Sequence, residues 1–158
     1  MKAVLDHIGI AVSDLAAALA FYRDALGLEI GATEDVPSQR VRVHFVSVGD
    51  REAVDGEAAV AREGRHRAGT GVTLELIEAT AEDSPIARYL EKRGPGLHHL
   101  TLRVDDISAA LAALKARGAR LIDEKPRVGA EGALVAFVHP SSAHGVLVEL
   151  KEAAARGR

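Results

Sequence analysis

Asp6-His7-Ile8-Gly9-Ile10-Ala11-Val12 has a counterpart about 92 residues later in His98-His99-Leu100-Thr101-Leu102-Arg103-Val104. Both stretches are alternating or nearly continuous in apolar residues, which is typical of a strand that is buried on one or both faces. A sequence that resembles itself at a fixed distance indicates a duplicated module. We therefore expect the chain to contain two copies of one structural half-module.

The segments that follow the two stretches also match each other. Ser13-Asp14 and Asp105-Asp106 supply side chains that can cap a helix N-terminus, and runs rich in Ala and Leu follow at 15–26 and 107–117. Gly27 and Gly118 come directly after these runs, where a left-handed residue often ends a helix. Each strand is thus predicted to lead into one helix.

Three further strand-like stretches follow each predicted helix. They lie at 28–33, 41–48 and 71–78 in the first half, and at 120–122, 133–139 and 145–151 in the second half. The predicted order is β-α-β-β-β twice, an α+β fold made of half-modules 1–80 and 97–152 in a single domain. Between them, Asp83-Ser84-Pro85 predicts the start of a short linker helix.

The composition narrows the classes of function. The chain has 158 residues, no cysteine and a formal charge of −3, with basic and acidic residues interspersed. Disulfides and thiolate chemistry are excluded, and the charge pattern disfavours nucleic acid as a partner. The sequence contains no stretch of about 18 apolar residues, so we predict no membrane-spanning helix. We expect a cytoplasmic protein whose partner is a small molecule.

Two pairs of possible metal ligands occupy equivalent positions in the two halves. His7 matches His99 in the first strand of each half, and Glu75 matches Glu149 in the last strand. A carboxylate within an apolar strand is costly to bury unless it is paired or binds metal. Each residue alone could be an ordinary strand residue, but the shared symmetry favours a divalent transition metal held by two His and two Glu.

Other polar residues permit more than one interpretation. His98 is expected to face away from His99 and to play a structural or outer-sphere role. The segment 50–69 is charged and lacks an apolar period, so it is either a solvated connection or a contact for an anionic ligand through Arg65 and Arg67. Gly129-Ala130-Glu131-Gly132 fits a hairpin turn better than a phosphate loop. Histidines without a symmetric partner receive no ligand role: His44, His66, His139 and His144.

Several motifs resemble the methylmalonyl-CoA epimerase family of the vicinal-oxygen-chelate superfamily, and the likeness runs nearly end to end. They are Leu5-Asp6-His7-Ile8-Gly9-Ile10-Ala11-Val12, Phe21-Tyr22-Arg23-Asp24, Asp83-Ser84-Pro85-Ile86-Ala87, Gly96-Leu97-His98-His99, Val104-Asp105-Asp106-Ile107, and His139-Pro140 with Gly145-Val146-Leu147-Val148-Glu149-Leu150. The joined linker and Gly-Leu-His-His motifs are the most particular to this family.

The resemblance implies a cupped mixed sheet with a metal bound by His7, Glu75, His99 and Glu149. The ion that the resemblance implies is Co²⁺, with Mn²⁺, Ni²⁺ and Zn²⁺ as alternatives. We also expect the protein to form a homodimer. The implied reaction moves the proton at C2 of methylmalonyl-CoA, and a metal would stabilise the enediolate that forms.

One position departs from the family pattern. Certain epimerases have a proposed acid/base glutamate where this chain has Val43, and valine cannot carry a proton. We therefore expect Glu149 and Glu75 to serve as the acid/base pair as well as metal ligands. Glyoxalase I and a non-catalytic ligand-binding protein of the same fold are the alternative functions.

Overall fold

The computed structural model describes residues 2–48, 72–129 and 132–152. The chain divides into two compact units. One comprises Met1–Ile10 with Leu97–Arg158 and is called the split unit here, and the other comprises Ala11–Gly96 and is called the continuous unit. The segment 50–69, with Arg65 and Arg67, lies outside the described residues.

The continuous unit starts with the predicted first helix. Helix α1 (Leu15–Leu19) begins after Asp14, whose side chain accepts a hydrogen bond from the backbone N–H of Ala17. It continues as a π-helix at Ala20–Ala25, and Gly27 follows with a φ of 71°. The left-handed glycine ends the helix as the sequence predicts.

Three antiparallel strands follow in the order β2-β3-β4: β2 (Glu29–Val36), β3 (Val41–Ser47) and β4 (Thr73–Ala79). Helices α1 and α2 (Pro85–Arg93) pack against β4. Helix α2 is the predicted helix of the linker segment. Ser84, fully buried, caps it by accepting a hydrogen bond from the N–H of Ala87, and proline occupies its first turn.

The split unit contains the remaining strands and one helix: β1 (Ala3–Ala11), β5 (Gly96–Val104), α3 (Ile107–Ala116), β6 (Arg127–Val128), β7 (Leu134–Val138) and β8 (Val148–Glu152). Its strand order is β1-β5-β8-β7-β6. Strands β5 and β8 are parallel, whereas β8, β7 and β6 pair antiparallel. The parallel pair aligns Thr101 with Glu149 and Arg103 with Lys151.

Helix α3 packs against this sheet, and the hydrophobic core lies between the helix and the strands. Asp106 caps the helix by accepting from the N–H of Ala109, matching the role of Asp14 at α1. The core consists of Val104, Ile107, Ala110, Leu111, Ala136, Val138 and Leu150. Apolar burial at roughly 25 cal/mol per Å² therefore fixes α3 against β7 and β8.

The predicted strand at 120–122 is wrong. Leu121 forms only one isolated bridge, to Val138, and the two-residue β6 was not predicted. Backbone N–H groups of Ile122 and Asp123 both donate to the carbonyl of Phe137, and the Asp123 carboxylate accepts from the Phe137 N–H. A turn closed by a side chain thus replaces a regular ladder at this position.

The repeat in the sequence and the compact units have different boundaries. Strand β1 belongs by sequence to half-module 1–80, yet its first eight described residues belong to the same unit as β5 and β8. The duplication itself stays a prediction. Among the described residues, no helix is long and apolar enough to cross a membrane.

Candidate metal centre

Three ionisable side chains meet within the split unit. His7 on β1, His99 on β5 and Glu149 on β8 each offer one ligand atom, and these atoms all lie within 4.8 Å of one another. All three residues are buried, with exposed fractions of 5%, 6% and 7%. We call this group the triad. Ionisable groups gathered in a buried place are costly unless they are paired or bind metal.

The ligand atoms of the triad point at one another. His7 Nε2 lies 3.4 Å from His99 Nε2 and 3.5 Å from Glu149 Oε2, and His99 Nε2 lies 3.7 Å from the same oxygen. The two imidazole rings meet edge to face, with centroids 5.5 Å apart. Two nitrogens and one carboxylate oxygen form a donor set that suits a divalent transition ion, so the residues fit a metal site.

Strand geometry explains why these side chains converge. Strand alternation places His99 and Thr101 on one face of β5, and the register sets Thr101 beside Glu149. Gly9 on β1 gives the His99 ring its space, because a Cβ at Gly9 would lie 2.5 Å from Nδ1 and 2.9 Å from Nε2 of that ring. A larger residue than glycine at position 9 would therefore displace His99.

Asp6 orients the His7 ring from outside the triad. Its Oδ2 lies 3.1 Å from His7 Nδ1 and accepts a hydrogen bond from Lys151 Nζ at 3.1 Å, while Oδ1 accepts from Arg103 Nη1 at 3.4 Å. Burial raises the pKa of Asp6, but the contacts with His7 and Lys151 outweigh it and lower that pKa. An ionised carboxylate only accepts, so His7 Nδ1 carries the hydrogen.

His98 contacts the other imidazole of the triad. Its Nδ1 lies 2.9 Å from His99 Nδ1, so one of these two atoms must donate to the other. Burial lowers the pKa of His98, and it lowers the pKa of His99 to about 4 despite the opposing charge of Glu149. Both rings are therefore neutral at pH 7, and neutral imidazole is the form that binds metal.

Glu149 is ionised in spite of its burial. Desolvation raises its pKa, but three contacts together lower it: hydrogen bonding with His7, the attraction of the His99 ring in its protonated form at low pH, and the hydroxyl of Thr101. Thr101 Oγ1 lies 2.6 Å from Glu149 Oε2 and 2.8 Å from His7 Nε2. The carboxylate thus has partners that compensate for its removal from water.

Glu75, the fourth predicted ligand, lies on β4 in the continuous unit, half-buried and opposite Phe45 of β3. Its role as a ligand stays a prediction. Val43 is buried on β3, and the adjacent His44 binds the Glu78 carboxylate at 2.7 Å and the Thr33 hydroxyl at 2.9 Å. His66 lies outside the described residues.

Three residues around the triad were not predicted as functional: Asp6, Thr101 and Lys151. Each has a simple relation to a predicted ligand, because Asp6 precedes His7 and the other two follow His99 and Glu149 by two positions. Residues two apart on a strand share a face, so alternation alone could have identified Thr101 and Lys151.

Residues 6–137 match the family model of the Glyoxalase/Bleomycin resistance protein/Dioxygenase superfamily. The chain belongs to this superfamily. Within the superfamily it is 37% identical to the mitochondrial methylmalonyl-CoA epimerase of Bos taurus over 94% of the chain and 74% of that protein. It is 39% identical to the ethylmalonyl-CoA/methylmalonyl-CoA epimerase of Cereibacter sphaeroides, over 94% of the chain and 96% of that protein.

A solved superfamily structure, a methylmalonyl-CoA epimerase in complex with methylmalonyl-CoA and NH4+, superposes with a TM-score of 0.78 at 35% identity. The match covers 98% of the chain and 97% of that structure. These similarities confirm the predicted vicinal-oxygen-chelate fold class and the resemblance to methylmalonyl-CoA epimerases.

Proposed function

We propose that this protein is a methylmalonyl-CoA epimerase, an isomerase that interconverts the (R) and (S) forms of methylmalonyl-CoA by moving the proton at C2. The observation that carries the proposal is the buried triad of His7, His99 and Glu149. The chain that holds it is similar to proteins named as methylmalonyl-CoA epimerases, and the similarity covers most of their length. An acyl-CoA is accordingly the proposed substrate.

The triad would hold a divalent ion through His7 Nε2, His99 Nε2 and Glu149 Oε2, with Glu75 as the proposed fourth ligand. Co²⁺ is the proposed ion, and Mn²⁺, Ni²⁺ and Zn²⁺ are the alternatives that the same donor set accommodates. When bound, such an ion supplies a Lewis acid that stabilises negative charge developing on the thioester oxygen.

The protein's own residues would move the proton. Glu149 is ionised, and its Oε2 lies against both Nε2 atoms of the triad, so Oε1 is the oxygen proposed to accept the C2 proton. A low pKa makes this carboxylate a weak base, which requires the acidity of C2 to be raised in the bound substrate. Glu75 is proposed to return a proton on the other face of the planar intermediate.

The decisive experiment compares reactions on the purified, metal-loaded protein. One sample receives a single epimer of methylmalonyl-CoA in deuterated water, and another receives methylglyoxal with glutathione. We expect epimerisation with deuterium incorporation at C2 in the first sample and no lactoylglutathione in the second. Lactoylglutathione alone would identify a glyoxalase I instead, and turnover of neither substrate would favour a ligand-binding protein.

His7→Ala and His99→Ala test the metal site that the proposal requires. Each variant should lose most of its bound metal by elemental analysis while its circular dichroism stays unchanged, because each removes one of three converging ligand atoms. His139→Ala is the matched control, since His139 bonds to Ser141 in its own turn. Full metal occupancy in either triad variant contradicts the site. The homodimer and the cytoplasmic location remain predictions, and light scattering of the eluted protein measures the former.

A further inference from the structure

Thr101 is a fully buried hydroxyl inside the triad. Its exposed fraction is 0%, and its Oγ1 lies between two triad members, 2.6 Å from Glu149 Oε2 and 2.8 Å from His7 Nε2. A buried hydroxyl without partners destabilises a protein. An apolar β-branched residue would fill the same place in a strand without that cost, so the hydroxyl calls for an explanation beyond packing.

The single hydrogen of the hydroxyl has one preferred destination. A carboxylate that binds a metal is deprotonated and can only accept, and O–H···O⁻ bonds are short, as the 2.6 Å distance from Thr101 Oγ1 to Glu149 Oε2 is. Thr101 therefore donates its hydrogen to Glu149 Oε2. The bond leaves the second carboxylate oxygen, Oε1, outside this contact.

The oxygen that receives the hydrogen bond is also the one that faces the imidazoles. Glu149 Oε2 lies 3.5 Å from His7 Nε2 and 3.7 Å from His99 Nε2. A carboxylate at the end of a three-bond side chain can rotate about its last torsion, which has broad minima. A hydrogen bond to one oxygen restricts this rotation, so that Oε2 stays near the two imidazoles and Oε1 points elsewhere.

We propose that Thr101 is a positioning residue that fixes Glu149 Oε2 as the metal-facing oxygen and leaves Oε1 for the substrate. This inference rests on the proposed function for the role of Oε1, but the fixing of Oε2 concerns metal binding alone. Outer-sphere hydrogen bonds of this kind contribute about 10- to 100-fold to metal affinity or activity.

The test uses Thr101→Val, Thr101→Ser and the wild-type protein. Valine keeps the shape and removes the hydroxyl, whereas serine keeps the hydroxyl and removes a methyl group. We expect Thr101→Val to bind Co²⁺ about 10-fold or more weakly in competition with a chelator and to show an altered visible spectrum of bound Co²⁺. Thr101→Ser should restore both the affinity and the spectrum.

Measurements on the folded, metal-free protein separate positioning from simple damage to the fold. Because Thr101→Val removes one partner of the buried Glu149 carboxylate, its metal-free thermal midpoint should fall moderately. Its circular dichroism below that transition should match the wild type, while its metal affinity falls. Thr33→Val is the matched control, because it removes a Thr–His hydrogen bond of similar length to His44, which is not a triad member. Its Co²⁺ affinity should equal that of the wild type.

Two results would overturn the inference. The first is a Thr101→Val variant whose Co²⁺ affinity and spectrum match the wild type, and the second is a loss that serine does not restore. In saturating Co²⁺, Thr101→Val should also lower kcat more than it raises KM. If the wild type bound Co²⁺ but turned over no acyl-CoA, the proposed function would fail while the affinity measurements still decided the role of Thr101.

Discussion

Asp6 links the triad to two cations. Its carboxylate receives the Nδ1–H of His7 on one side and the charged groups of Lys151 and Arg103 on the other. A histidine that binds metal through one nitrogen commonly donates from the other to a carboxylate, which fixes the tautomer and raises the basicity of the ligand. The two cations hold that carboxylate in place.

Asp6→Asn should therefore weaken metal binding without unfolding the protein. The amide keeps the size of the carboxylate but removes its charge, so we expect Co²⁺ affinity to fall by about 10- to 100-fold in a chelator competition. Asp35→Asn is the control, because Asp35 forms an exposed ion pair with Arg42, a type of pair that contributes little. Equal affinities in the two variants would exclude an orienting role for Asp6.

The stability of the metal-free protein should depend on pH through His99. Burial lowers the pKa of His99 from 6.5 to about 4, with His98 shifted in the same direction. Between these values the unfolded chain binds a proton that the folded chain does not, so stability falls as pH falls from about 6.5 to about 4. The full shift corresponds to roughly 3 kcal/mol.

Urea unfolding of the metal-free protein between pH 4 and 7 measures this effect. His99→Gln removes the titrating group and should flatten the pH dependence over that interval. The lowered pKa values of Asp6 and Glu149 give the same sign, but their contributions are lost only at lower pH, as each carboxylate becomes protonated. An equally steep slope in wild type and variant would rule out His99 as its source.

Among the secondary-structure elements, those with strong local signals could be predicted from the sequence. Aspartate caps and following glycines specified both repeat helices, because capping depends on residues that are neighbours in sequence. The prediction of a strand at 120–122 was wrong because the structure there depends on a contact between residues that are far apart in sequence. The observed structure is a turn closed by the Asp123 side chain against Phe137, a contact between residues that no local pattern connects.

The candidate site was predictable to a similar degree. The repeat identified His7, His99 and Glu149 because equivalent strands carry them at equivalent positions, and the structure brings these three together. The contacts of Asp6 with Lys151 and Arg103 join residues far apart in sequence. These contacts depend on which strands are neighbours in the sheet, and a sequence repeat does not predict the order of strands in a sheet.

Gly9→Ala tests how closely β1 and β5 are matched. An added Cβ would overlap the His99 ring, so the ring must move or the strands must separate. We expect weaker Co²⁺ binding together with a lower thermal midpoint. Gly118→Ala is the matched control: its Cβ would meet nothing within 4 Å, but its φ of 79° strains alanine by about 1 kcal/mol or more.

Gly118→Ala should thus lose stability and keep its metal affinity. If Gly9→Ala lost stability alone, like the control, the close approach of Gly9 to His99 would have no consequence for the metal centre.

At the scale of the whole molecule, the proposed reaction uses residues from both compact units. The triad lies in the split unit, whereas Glu75 lies on β4 of the continuous unit. The proposed function assigns Glu75 two roles, as the fourth ligand and as one member of the acid/base pair. These roles make different demands, since a ligand needs an oxygen and an acid/base needs a carboxyl group.

Glu75→Gln and Glu149→Gln distinguish the two roles. Glutamine keeps an oxygen but does not exchange a proton at useful pKa, so both variants should retain metal and lose epimerisation by several orders of magnitude. Incubation of each epimer in deuterated water shows by mass spectrometry which variant still exchanges the C2 proton of which epimer. Wild-type turnover by metal-loaded Glu75→Gln would restrict Glu75 to the ligand role.

The position of β1 has a consequence for how a cell makes this protein. Asp6 and Lys151, which contact each other, are 145 residues apart in the chain. At a translation rate of about 5–20 residues per second, the first strand waits on the order of 10 seconds on the ribosome before its partners β5 and β8 have been synthesised. A nascent chain in that interval exposes an apolar strand and lacks at least one residue of the triad, so the proposed metal site cannot form. Binding of the proposed metal would therefore follow the synthesis of β8.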